Sequence, residues 1–233
     1  MKALITGASK GIGRAVAKKF AEHGADLCLC ARSIDDLMQL KEELLFSGTS
    51  KNIHIYSADL SVKGEVRLLS TFVKDAIGTP DVLVNNAGLF KGNSIVQEPE
   101  EDMEYLMNLN FLSVYYLTKD LLPGMINRRS GHIFNMCSIA SMQAYPNGGA
   151  YGASKHALYG FSKVLREETK AYGIKVTSIL PGATWSDSWK NAGIEESRFI
   201  EAKDIANIIW NAYHTGTNCV IEDIVIRPQL GDI

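Results

Sequence analysis

The sequence predicts an α/β protein: one doubly wound parallel sheet of about seven strands with helices on both faces. Three observations predict it. Short apolar runs of strand length alternate along the chain with longer stretches whose apolar residues recur at helical spacing. Several of the short runs are continuously apolar, as strands covered on both faces are. Glycines fall where helix C-caps belong, at Gly24, Gly48, Gly78 and Gly173.

The elements follow in order. The strands are "KALIT" (2–6), "DLCLCA" (26–31), "NIHIYSA" (52–58), "DVLVN" (81–85), "GHIFNMC" (131–137), "KVTSIL" (175–180) and "NCVIEDIVI" (218–226). Between them lie the helical patterns "GRAVAKKFAEHG", "DDLMQLKEELLFSG" and "EVRLLSTFVKDAIG", a long stretch over 98–127, and another over 149–172. Strand, helix, strand repeated in this way closes into a parallel sheet. No Pro/Ser-rich linker, repeat or composition break divides the series, so 1–233 is expected to be one domain.

Composition narrows the classes. The chain has 233 residues, 46% hydrophobic and 21% charged, enough to bury a substantial core. With a net charge of −2 and no basic block, neither nucleic acid nor an anionic membrane is an expected partner. No apolar run reaches the roughly 18 residues a span needs. The N-terminus enters a strand at once, which leaves no room for a signal peptide, so a cytoplasmic location is expected. Cys28, Cys30, Cys137 and Cys219 show no metal-ligand spacing and read as free thiols; Cys28 and Cys30, two apart in a strand, share one sheet face. His156 points about 100° away from Lys155 on a helix and reads as structural or exposed. No metal is expected.

The first strand ends in "TGASKGIG" (6–13), where a helical pattern begins. Gly7 permits the tight turn, Gly11 lets backbone approach a pyrophosphate, and Gly13 lets the helix pack closely on the sheet. The helix then presents free N–H groups and partial positive charge to phosphate. The second strand ends at Ala31, where an NAD-binding chain would carry an acid, and Arg32 follows. A guanidinium suits a 2′-phosphate, and Lys10 in the loop adds charge on the same side. NADP is favoured over NAD.

"YGASK" (151–155) opens a helix with Tyr151 and Lys155 four apart, on one face and about 5–6 Å apart at Cβ. Further motifs fall into line: "NNAG" (85–88) after the fourth strand, Asn110 in the helical stretch, Ser138 in "CSIA" after the fifth, Tyr151 thirteen residues beyond it, and "PG" (181–182) with Thr184 after the sixth. This set, in this order, resembles the short-chain dehydrogenase/reductase family over about 2–184, whose fold is of the Rossmann type.

The resemblance implies roles residue by residue. Tyr151 is the general acid that protonates a carbonyl oxygen, Lys155 lowers its pKa and binds the nicotinamide ribose, and Ser138 holds the substrate oxygen. Asn110 helps hold a water that relays protons from Lys155. Gly7, Ser9, Lys10, Gly11, Ile12 and Gly13 form the cofactor loop, Asp59 and Leu60 the adenine contact, and Asn86, Ala87 and Gly88 the wall beside the adenine ribose. Pro181, Gly182 and Thr184 lie beside the nicotinamide. A tyrosine titrates near 10, so a fall of some three units asks for about 4 kcal/mol. One partly buried cation can supply that, whereas an exposed one cannot.

Substrate is expected to meet the segment after the sixth strand, a lid at about 183–200, and the loop "MQAYPNGG" (142–149). Tyr145, Trp185 and Trp189 either stack on it or pack the lid on the body. The chain's last stretch, "VIEDIVIRPQLGDI", is similar to sepiapterin-reductase-like and short 3-hydroxy-acid-dehydrogenase-like members, not to the "VDGG" endings of acyl-carrier-protein reductases. The resemblance implies an NADP(H)-dependent, sepiapterin-reductase-like reductase of a small carbonyl compound. The alternatives are a 3-oxoacyl-acyl-carrier-protein reductase, a 3-hydroxy acid dehydrogenase, or an NADP(H)-sensing binding protein. The loop spacing and missing C-terminal region speak against a sugar-nucleotide epimerase. A homodimer or homotetramer built through 101–127 and 149–172 is also implied.

Overall fold

The structure is a computed structural model and describes residues 1–47, 50, 52–186, 189 and 193–232. The strands are β1 (Lys2–Thr6), β2 (Asp26–Ala31), β3 (Ile53–Ser57), β4 (Val82–Asn85), β5 (Gly131–Met136), β6 (Ile174–Pro181) and β7 (Asp223–Ile226). They form one sheet in the order β3-β2-β1-β4-β5-β6-β7, every neighbouring pair parallel. The connecting helices are α1 (Gly11–Glu22), α2 (Ile34–Ser47), α3 (Lys63–Ala76), α4 (Glu100–Met107), α5 (Ser113–Arg128), α6 (Gly149–Thr169) and α7 (Ala202–Tyr213).

Two cores sandwich the sheet. Along β1, Ala3 and Ile5 face α1, α2 and α7, while Leu4 faces α3 and α5, the period-2 alternation of a strand buried on both sides. Cys28 and Cys30 lie together in the second core, on one face as their spacing requires. Phe20 of α1 meets Trp210 of α7 edge to face, centroids 5.1 Å apart. Gly24, Gly78 and Gly173 turn the chain at positive φ of 72°, 73° and 70° after helical segments. Gly48 lies outside the described residues.

Two elements differ from the sequence reading. The stretch 98–127 is not one helix: α4 and α5 are joined by a π-helical turn, Asn108–Leu112. Five residues are too few for the apolar pattern to separate its wider period from the α period, and such turns mark functional sites. The last strand is shorter than 218–226, because its residues pair in register with β6 only from Asp223 onward. Sheet order reverses where β1 and β4 lie side by side, and in open α/β sheets the ligand crevice opens beyond the carboxyl ends of such strands.

Candidate active site

A cavity of about 930 Å³ occupies that crevice, within the range of small-ligand sites. Its floor is the turn from β1 into α1. Gly7 and Gly11 have φ of +63° and +52°, a conformation side chains resist. A Cβ on Gly13 would lie 2.2 Å from the Gly7 carbonyl oxygen and 2.5 Å from Asn86 Nδ2, so glycine is what lets α1 approach the turn. Asn86 stitches the end of β4 to this turn: its Nδ2 donates to the carbonyls of Thr6 (2.9 Å) and Gly7 (3.1 Å). Thr6 Oγ1 accepts from the backbone N–H groups of Asn86 and Ala87, both at 3.0 Å.

The cradle fits a dinucleotide. The N-terminus of α1 has no side-chain cap and no acid in its first turn, so its N–H groups face the cavity free for phosphate. Arg32, with Lys10, supplies cations at the far end, where Lys10 pairs with Asp36 at 3.4 Å and Arg32 donates to Tyr105 Oη at 3.4 Å. Ser9, Ile12, Leu60, Ala87, Gly88, Pro181, Gly182 and Thr184 line the same cavity. Asp59 does not: its carboxylate accepts from Ser61 N–H (2.9 Å) and Ser61 Oγ (2.7 Å), and its neighbours Ala58 and Leu60 form the wall instead.

Ser138, Tyr151 and Lys155 converge on the cavity from β5 and α6. Ser138 follows β5 and caps a short 3-10 turn, Ile139–Ser141. Its Oγ accepts from Ala140 N–H at 3.1 Å, and its own N–H donates to Ser141 Oγ at 3.1 Å. That reciprocal cap fixes the hydroxyl, which lines the cavity together with Tyr151. Lys155, one turn along α6, is buried, and its Nζ donates to the Met136 carbonyl at 2.7 Å. Asn110 is wholly buried behind the wall. Its Oδ1 accepts from Leu89 N–H (2.9 Å), and its Nδ2 donates to the Leu89 carbonyl and to Ser154 Oγ, both 3.0 Å. The π-helical turn thus ties the chain after β4 to α6.

The electrostatics correct one expectation. In the chain by itself burial dominates: it pushes Tyr151 up to about 12, outweighing the lowering effect of the Ser138 hydroxyl. Burial also pulls Lys155 down to about 8. A cation that is itself expensive to keep charged cannot offset the desolvation of its neighbour. Tyr151 therefore stands protonated at neutral pH, the state a proton donor needs.

The end of the cavity beyond β6 is aromatic. Trp185 and Trp189 both line it and both pack on Phe199, at 5.2 Å and 5.0 Å between centroids. The segment after β6 is pinned at its base by Trp185 N–H donating to the Ile200 carbonyl (2.9 Å) and Ile200 N–H to that of Ala183 (3.0 Å). Of the expected lid, residues 187, 188 and 190–192 lie outside the described residues. Tyr145 lines the cavity from the other side.

Among the lining residues not read from the sequence are Asp36, Phe90 and Asp232. Phe90, two residues past "NNAG", sets its ring edge-on to Tyr151, centroids 4.9 Å apart. Asp232, ion-paired with Arg227, comes from the tail after β7, and no local signal marks it.

A fold and site of this kind define a dinucleotide-dependent oxidoreductase, and comparison with known proteins agrees. The family model described as short chain dehydrogenase matches residues 1–197, and the chain belongs to that family. It is 34% identical to the sepiapterin reductase of Chlorobaculum tepidum over 99% of this chain and 97% of that one. It is 39% identical to the oxidoreductase UcpA of Salmonella typhimurium over 77% of this chain and 68% of that one. Among solved structures, an alcohol dehydrogenase from Thermococcus sibiricus complexed with 5-hydroxy-NADP superposes with a TM-score of 0.91 at 26% identity, covering 100% and 98% of the two chains. The L-sorbose reductase of Gluconobacter frateurii with NADPH and L-sorbose does so at 0.90 and 27% identity, covering 97% and 95%.

Proposed function

We propose that the chain is an NADP(H)-dependent reductase that converts a small carbonyl compound to an alcohol, with Tyr151 as proton donor. The observation that carries this reading is the convergence of Ser138, Tyr151 and Lys155 on the cavity that also holds the glycine turn. Two O–H groups lining one cavity form a site for one carbonyl oxygen. Ser138 holds that oxygen, and Tyr151 delivers the proton it needs as the carbon is reduced. Lys155 eases the charge left on the phenol and reaches the ribose hydroxyls. Gly7, Ser9, Gly11, Ile12 and Gly13 hold the pyrophosphate end, Ala87, Gly88 and Leu60 the adenosine end, and Pro181, Gly182 and Thr184 the nicotinamide end. Bound there, NADPH supplies the hydride.

Arg32 and Lys10, with no acid at Ala31, favour the 2′-phosphate, in keeping with the NADP-type ligands of the structural relatives. The aromatic walls, Tyr145, Trp185 and Trp189, suit a flat or compact carbonyl compound. The sepiapterin reductase relative makes pterin side-chain ketones the first class to test. The whole chain acts as one catalytic unit, with about 183–200 as the lid. Helices α4 to α6 carry the partly buried Phe111, Tyr115 and Phe161 through which subunits of a dimer or tetramer pair.

The test is a panel of pterins, diketones, simple ketones and 3-oxoacyl thioesters, with NADPH and NADH oxidation followed separately. NADPH turnover with at least one ketone is expected. Equal or faster rates with NADH would overturn the cofactor assignment, and no turnover with any carbonyl would favour the sensor reading.

A further inference from the structure

We propose that Glu98 is a positioning residue for Tyr151, acting through the first turn of α6; this rests on the reading of Tyr151 as proton donor. Helix α6 begins at Gly149, two residues before the phenol. Its N-cap, Gly148, has no side chain to offer, and its first turn holds no acid. Free N–H groups and partial positive charge collect at such an end. The partner comes from 52 residues earlier in the chain. Both carboxylate oxygens of Glu98 accept from Ala150 N–H, at 3.0 and 3.1 Å.

Gly149 is shaped for this contact. A Cβ there would lie 2.7 Å from Glu98 Oε2 and 2.9 Å from Oε1, so the carboxylate occupies the place of a side chain. Two further contacts bind the same loop to the same turn. Asn93 bridges to Gly148 as isolated parallel β-structure, and Phe90 lies edge-on to Tyr151. At its inner end the loop is tied through Leu89 and Asn110 to Ser154.

Ser138 is held by its own cap after β5. The phenol keeps its place beside it only if the start of α6 is held as firmly. Catalytic geometry tolerates roughly 0.5 Å of displacement, and about 1 Å can cost on the order of 10²-fold in rate. An acceptor at the helix start, reaching in from another element, fixes that height where the helix's own sequence has nothing to do so.

The test uses the full-length protein with NADPH and a ketone it reduces. Glu98→Ala is expected to lower kcat about tenfold or more, while the NADPH dissociation constant stays within about threefold. Glu98→Gln keeps an acceptor oxygen and is expected to recover kcat to within about threefold of wild type. Gly149→Ala expels the carboxylate and is expected to reproduce the Glu98→Ala loss. In the double variant the losses should not multiply. A kcat for Glu98→Ala within about twofold of wild type, in a protein that Tyr151→Phe inactivates, would overturn the inference and leave the Tyr151 assignment standing. Equal losses in kcat and NADPH affinity, multiplying losses, or no recovery in Glu98→Gln would each overturn it as well. Full turnover in Tyr151→Phe would instead remove the assignment beneath it.

Discussion

The Nζ of Lys155 lies 5.8 Å from the centre of the Tyr151 ring and donates its hydrogen bond to Met136, not to the phenol. The pair is close enough to interact and too poorly solvated for the lysine to hold its charge easily. With the phenol pushed to about 12 and the lysine to about 8, it is the lysine that titrates within the working range.

A pH dependence follows, with its sign. Below about pH 8 Lys155 is charged and Tyr151 protonated, the combination proton donation requires. As pH rises through about 8, Lys155 loses its proton and with it the charge that eases phenolate formation. The kcat/KM for NADPH at saturating ketone, which reports the free enzyme, is expected to be level below that pH and to fall above it. A rate that climbs steadily from pH 7 to 9 would contradict this assignment of charge.

A second pH effect concerns stability. His132, buried in β5, sits with Nε2 2.7 Å from Thr177 Oγ1, whose own proton goes to the Ile221 carbonyl at 2.6 Å. Nε2 therefore carries the imidazole's proton, and Nδ1 has no partner among the described residues. Burial, assisted by Lys175, pulls this group down to about 3. The unfolded chain takes up a proton near pH 6.5 that the folded chain refuses until about 3. Stability is thus lost as pH falls through that window, by about 2 kcal/mol at pH 5. Denaturant unfolding at pH 7 and pH 5 should show a smaller pH penalty in His132→Phe than in wild type, by about that amount. Equal penalties would show that His132 is not the group responsible.

On the proposed function, cofactor choice rests on Arg32 and Lys10. Lys10 is paired with Asp36, which leaves Arg32 the stronger partner for a 2′-phosphate. A charge-assisted hydrogen bond contributes about 1.5–3 kcal/mol. Arg32→Ala should therefore raise the NADPH dissociation constant by about ten- to a hundredfold and leave that of NADH within about twofold. Fluorescence titration of both cofactors measures this; parallel weakening of the two would refute it.

The features legible in the sequence were those set by local pattern. Apolar runs gave the strands, the spacing of Gly7, Gly11 and Gly13 gave the turn into α1, and Ser138, Tyr151 and Lys155 stood in a spacing the fold brings together. What the sequence concealed is set by contacts across the chain. The π-helical turn at Asn110 shares its apolar pattern with the helices beside it. Asp59 stands beside the wall instead of on it, because Ser61 engages its carboxylate. Phe90 and Asp232 reach the cavity only after distant segments have folded back over it. The high pKa of Tyr151 is a product of burial, which spacing alone does not report.

The central claim is that the Tyr151 phenol donates the proton while the rest of the cavity holds the dinucleotide. Tyr151→Phe removes one oxygen and leaves the Phe90 ring its packing partner. The decisive measurement is NADPH affinity and ketone turnover on this variant, side by side with wild type. An NADPH dissociation constant within about threefold and a kcat reduced by about 10²-fold or more would uphold the claim. Turnover at the wild-type rate would contradict it.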